Sequence, residues 1–137
     1  GIAGCGESQG AQEGATLTAY VVAPLCAEAT RALAGDGADA GAVRLRAVCL
    51  PPARGDGKLD LAAIGAGARR ATEDSSSIVY IEAPDDAAAR FSEPILESAG
   101  IPVISNSSGT AAISELRKAL READLSSPRT SVTDALR

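Results

Sequence analysis

Residues 78–110 run Ile78-Val-Tyr-Ile-Glu82, Ala83-Pro-Asp-Asp86, then a helical pattern through Phe91, Ile95 and Ala99. Gly100 breaks that pattern, Ile101-Pro-Val-Ile104 follows, and the polar loop Ser105-Asn-Ser-Ser-Gly-Thr110 closes the stretch. A short apolar run, a turn, a helix and a second apolar run spell a βαβ unit with a parallel strand pair. Ligands of parallel sheets bind outside the carboxyl ends of the strands. Asp85 and Asp86 in the first loop, and Ser105, Ser107, Ser108 and Thr110 in the second, are therefore the candidate ligand-binding residues. Pro94 falls inside the helical pattern, where its missing amide predicts a restart into a second short helix, Pro94–Ala99.

Working outward, Thr16–Ala23 reads as the first strand, ended by Pro24. Leu25, Ala29 and Leu33 mark one face of a helix closed at Gly35-Asp-Gly37. Val43–Val48 alternates apolar and charged residues before turning apolar, which predicts a strand at a sheet edge, whereas the continuously apolar Ile78–Ile81 predicts a central one. Pro51–Gly57 reads as a loop. Asp60 then caps a helix with Leu61, Ile64, Ala68 and Ala71 on its inner face. After Thr110 come an amphipathic helix carrying Ile113, Leu116, Leu120 and Ala123, and a last short helix that starts at Pro128. Strands alternate with helices, so the fold class is α/β.

The totals narrow the function. Thirteen basic and 18 acidic residues give a net charge of −5, with no basic block of the kind that neutralises nucleic-acid phosphates. Tyr20, Tyr80 and Phe91 are the only aromatic residues, too few for a stacking platform. There is no histidine, which removes His-based acid–base chemistry and the commonest transition-metal ligand. No Ser-x-x-Lys occurs, and Ala23-Pro24 stands where a phosphoacceptor domain needs an acidic pair. The expectation is a non-enzymatic protein without metal or cofactor.

Ile2-Ala-Gly-Cys5 resembles the lipobox of bacterial lipoproteins, in which small residues admit the signal peptidase before the lipidated cysteine. Residues 1–15 are expected to be a lipobox remnant, trimmed from a precursor, and a flexible tether. The nine residues Gly6–Gly14, as a coil, would span roughly 15–20 Å. Residues 16–137 would form the folded lobe, held at the membrane by a lipid on Cys5.

Three segments resemble the type I periplasmic binding proteins, in particular their branched-chain amino-acid-binding branch: Tyr20-Val-Val-Ala-Pro-Leu25, Ala66–Asp74 leading into Ile78–Ile81, and above all Ser92-Glu-Pro-Ile-Leu-Glu-Ser-Ala-Gly-Ile-Pro-Val-Ile-Ser105. The likeness covers Leu17 to about Thr110. It implies a single Rossmann-like lobe with a parallel sheet of about four strands in the order 2-1-3-4, helices on both faces, an amino-acid-like ligand and an ABC transporter permease as partner. The chain then departs from the pattern, passing directly into Ala111–Leu136 where relatives carry a second lobe. A second copy, as a homodimer, would rebuild the cleft. Asp85 and Asp86 replace the family's hydroxyl-bearing turn, and their charge suits an amine or cation better than a carboxylate.

In that strand order Cys26 and Cys49 share one sheet edge, where they would form a disulfide in an exported protein. The expected function is an extracytoplasmic, lipid-anchored solute-binding domain for uptake or sensing. The alternative is a degenerate lobe serving as an interaction module of the cell envelope. Two bland readings compete at the site, in which Asp85-Asp86 and Ser105–Thr110 act only as caps of the helices they precede.

Overall fold

The computed structural model describes residues 10–137. The lipobox, with Cys5, and the first part of the expected tether lie outside the described residues. From Gly10 onward the chain is docked rather than free: the Ala11 amide donates to the Leu125 carbonyl and the Gly14 amide to that of Ala42, both at 2.6 Å.

Five strands form the main sheet: β1 (Thr16–Val22), β2 (Asp39–Ala40), β3 (Val43–Leu50), β6 (Ser77–Glu82) and β7 (Val103–Ser105). Between them run α1 (Cys26–Ala32), α2 (Leu61–Glu73) and α3 (Asp86–Ser98), and after them α4 (Gly109–Arg121) and α5 (Pro128–Ala135). The protein is α/β, as its alternating pattern requires. The all-parallel sheet of four strands is corrected, however, because the sheet is mixed and ordered β2-β3-β1-β6-β7. The pairs β1–β3, β1–β6 and β6–β7 are parallel, while the two-residue β2 runs antiparallel to β3.

That extra strand covers the outer side of β3 at Val43 and Arg44 alone, so the rest of Val43–Val48 keeps the edge position expected of it. Gly41, at φ 67°, makes the tight return from β2 to β3 that a side chain would resist. An Arg44–Asp39 ion pair then joins the paired residues. The second charged position, Arg46, donates from Nε to the Thr18 hydroxyl at 2.7 Å and pairs with Asp74 at 3.5 Å. A second correction concerns Pro51–Gly57, where β4 (Arg54–Gly55) and β5 (Lys58–Leu59) form a minimal hairpin. Asp56 and Gly57 both take positive φ, 53° and 78°, as a twisted two-residue turn demands.

Two apolar clusters flank the sheet. Tyr20, Val22, Leu50 and Tyr80 pack with Ala68, Ala71 and Leu96 of α2 and α3. On the other side Ala19, Val21, Val79 and Ile81 pack with helix residues including Ala29, Ile113 and Leu116. Asp60 caps α2 as expected, its Oδ1 accepting from the Ala63 amide at 3.0 Å. Leu61, expected inside, is 49 % exposed, and Gly67 takes a buried place where a Cβ would stand 3.2 Å from Leu50.

The third correction is α3. It is one continuous helix with Pro94 inside it, not two. Pro94 and Arg90 lie on the exposed side, so the Arg90 carbonyl that loses its amide partner faces water. Its buried stripe is Ala88, Ser92 and Leu96, while Phe91 is 46 % exposed. The helix ends where Gly100 takes φ 70°, with the Ile101 amide bonded back to Leu96 and the Gly100 amide to Glu97.

Candidate functional site

At the carboxyl ends of β1 and β6 lies a cavity of about 210 Å³. Val22, Pro24 and Pro52 wall it from one side, Ile64 and Ala88 from the helices. Its polar groups are Arg54, Tyr80, Glu82 and Asp85. Parallel strands end together at this edge, and the chain must leave each of them for a helix on one face, so a hollow opens between the departing loops.

Glu82 is the last residue of β6, and it is 6 % exposed. Strand alternation turns Tyr80 and Glu82 toward α2 and α3, with Val79 and Ile81 toward the opposite cluster. The inward hydroxyl of Ser92 donates to Glu82 Oε1 at 2.9 Å. The Glu93 carboxyl also lies in hydrogen-bonding contact with it. Burial pushes the Glu82 carboxyl up to about 7; the Ser92 bond opposes that, and the acidic neighbours Glu93 and Asp85 reinforce it. Burial, with the charge of Glu82 beside it, likewise raises the Tyr80 hydroxyl well above the ordinary phenol range.

Asp85 has two functions. It is the N-cap of α3, Oδ1 accepting from the Ala88 amide at 3.2 Å, as the bland reading holds. It also takes two bonds from Arg54, Nε to Oδ2 at 2.7 Å and Nη2 to Oδ1 at 3.2 Å. The Arg54 guanidinium and the helix amides hold its carboxyl below the usual carboxylate range. Arg54 in turn donates to the Gly57 carbonyl, so the hairpin holds it over the cavity.

The other expected residues lie elsewhere. Asp86 is exposed on the outer side of α3, in a shallow groove with Arg90 and Glu93. Ser105 pairs in register with Glu82 but faces a groove beyond α3 with Glu93 and Val103. Ser107 and Thr110 are exposed. Ser108 caps α4, its hydroxyl accepting from the Ala111 amide at 3.1 Å. The first amide of α4, at Gly109, donates to Glu28 Oε1 of α1 at 2.6 Å. A Cβ on Gly109 would come within 2.3 Å of the Leu25 carbonyl, so glycine is what lets the two helices meet. A carboxylate from the chain itself thus occupies the N-terminus of α4.

Of the six expected ligand residues, the cavity includes Asp85 alone. Glu82, Ser92, Tyr80 and Arg54 are the residues that sequence reading did not single out. One signal was available: a glutamate closing a wholly apolar strand, ten residues before a serine on the inward stripe of the next helix.

Cys26 and Cys49 come to disulfide distance at the same edge, with Cα atoms 5.6 Å apart. Cys26 is buried and Cys49 exposed. Among the described residues there is no group of three or more side chains that could hold a metal ion, and no helix is long and apolar enough to cross a membrane. In comparisons with protein-family models, curated proteins and solved structures, the chain matches none.

Proposed function

We propose that this chain is a single-lobe solute-binding domain that takes a small molecule into the cavity at Glu82. In this reading it is a relative of the first lobe of type I periplasmic binding proteins, exported and lipid-anchored through Cys5, and it delivers or reports a solute to a membrane partner such as an ABC transporter permease. The observation that carries the reading is a carboxyl group buried at the carboxyl edge of parallel strands and bordering a half-open, largely apolar hollow. The Cys26–Cys49 pair supports an oxidising compartment. With Glu28 on the first amide of α4, ligand capture moves from the Ser105–Thr110 loop to the cavity beyond β1.

A thermal-shift screen of amino acids, amines and small acids tests this. A ligand at 100 times its Kd adds about 2.7 kcal/mol to the native state. At least one compound should therefore raise Tm by several degrees. Ala53 lines the cavity from a loop, and Ala53→Phe should fill the space and abolish the shift. No shift with any compound would overturn the binding reading.

Leu61 and Phe91, on the adjacent helices α2 and α3, are 49 % and 46 % exposed, and they favour a second reading as an interaction module that pairs with another copy. Sedimentation equilibrium should then show a dimer that Phe91→Ser weakens. A monomer at high concentration would exclude the self-pairing.

A further inference from the structure

We propose that the cavity recognises a small organic ammonium ion with an apolar body, the ammonium pairing with the Glu82 carboxyl that lines it. This rests on the reading that the cavity is a binding site, and goes further by naming the charge and shape of what enters it.

The charge argument starts from what surrounds Glu82. From α3 it is faced by Ser92 and Glu93, from the loop before α3 by Asp85, and from its own strand by Tyr80. Arg54 is the one cation lining the cavity, and Asp85 already engages it with two bonds. An entering anion would meet uncompensated carboxylates, while an entering cation completes a pair. Burial makes that pair specific, because a neutral guest leaves Glu82 either charged and unpaired or protonated.

The shape argument excludes a bare metal ion. A hard cation such as calcium needs six or more oxygen ligands, and the oxygen-bearing side chains here are Tyr80, Glu82 and Asp85 alone, beside Val22, Pro24, Pro52, Ile64 and Ala88. Those aliphatic walls match a short hydrocarbon body. At about 210 Å³ the hollow is smaller than the roughly 300–1,000 Å³ typical of drug-sized ligands. A branched primary amine of a few carbons fits both requirements. An amino acid brings a carboxylate that finds no free cation.

Binding is linked to protons. Below neutral pH the Glu82 carboxyl holds a proton in the empty cavity, and the ammonium must displace it to solvent.

The test is a chemical-shift titration of the full, oxidised chain with four probes of one shape: 3-methylbutylamine, 3-methylbutanol, 3-methylbutanoate and leucine. At pH 8 the amine should shift the amides of residues 52–54 and 80–88, and its affinity should fall roughly 100-fold at pH 5. The alcohol should bind weakly with little pH dependence, and the acid and leucine should be weaker than the amine. Glu82→Gln keeps the shape and the Ser92 contact. It should lose the amine's advantage over the alcohol while its spectrum stays folded. Equal binding of amine and alcohol, pH-independent amine binding, or an unchanged amine preference in Glu82→Gln would overturn the ammonium assignment and leave the cavity as a site. Shifts confined to Ser105–Thr110 would overturn it too. Silence from all four probes would overturn the binding reading beneath it.

Discussion

Reducing the Cys26–Cys49 bond is expected to lower the stability of the domain by about 3 kcal/mol and Tm by roughly 10 °C. The bond joins the start of α1 to β3 across a sequence separation of 23 residues. Chain entropy gained by an unfolded loop of that length accounts for most of the effect. The rest of the fold gives little compensation. β3 packs against the sheet through β1, but its outer side from Arg46 onward has no strand partner, and α1 is seven residues long. The measurement is circular-dichroism melting with and without reductant in a Cys5→Ser background, which prevents exchange with the third thiol. Cys26→Ala/Cys49→Ala should melt with the reduced form. Equal melting temperatures, or free thiols at both positions by non-reducing mass spectrometry of oxidised protein, would remove the bond from the account.

The α/β class was legible because it depends on periodicity. Ile78–Ile81 and Ile101–Ile104 announce strands whatever surrounds them, and Asp60, Asp85 and Gly100 mark helix ends through local chemistry that tertiary context did not change. The misses share a cause. β2 is two residues long, too short for any alternation to show, and it forms because Gly41 turns Asp39 back toward Arg44. The hairpin at Asp56-Gly57 carried the Asp-Gly signal, but Pro51-Pro52 before it drowned that signal in loop character. In α3 the apolar pattern Phe91, Ile95 and Ala99 places Ile95 and Ala99 against the core, whereas Phe91 is exposed and Ala88, Ser92 and Leu96 are the buried positions. What the pattern does not show is a polar contact, Ser92 to Glu82, between residues on different elements.

The same contact explains why the site was harder to read than the scaffold. Asp85 and Ser108 have the composition of ligand residues because caps and ligand loops use the same chemistry. A buried glutamate, by contrast, cannot be told from an exposed one at a strand end until the helix above it is placed. Whether the α4 N-terminus is open to a ligand likewise depends on Glu28, 81 residues away in sequence from Gly109.

Glu82 should also leave a signature in the stability of the empty protein. An unfolded chain titrates this carboxyl near its ordinary 4.5, and in the fold burial lifts it to about 7. Below pH 4.5 both states hold the proton, and the neutral side chain sits in its bond with Ser92 at little cost. Between 4.5 and 7 the unfolded state gives up its proton first, so stability falls as pH rises, and above 7 the loss levels off. The shift corresponds to about 3 kcal/mol, which screening by solvent at the open side of the cavity reduces to about 2 kcal/mol. Glu82→Gln removes that slope. The variant should match the wild type at pH 4 and exceed it by about 2 kcal/mol at pH 8. Denaturant titrations across that range measure the difference directly. Asp74, Asp85 and Asp124, whose carboxyls lie below their ordinary range, give the opposite slope at lower pH, but they do so in both proteins and cancel. Parallel curves for the two proteins would show that Glu82 is solvated like a surface carboxylate and would remove the reason for it to seek a cation. A curve that separates as described would mean that the empty cavity carries a standing cost at neutral pH. An ammonium ligand would relieve that cost on binding, and a neutral molecule of the same shape would not.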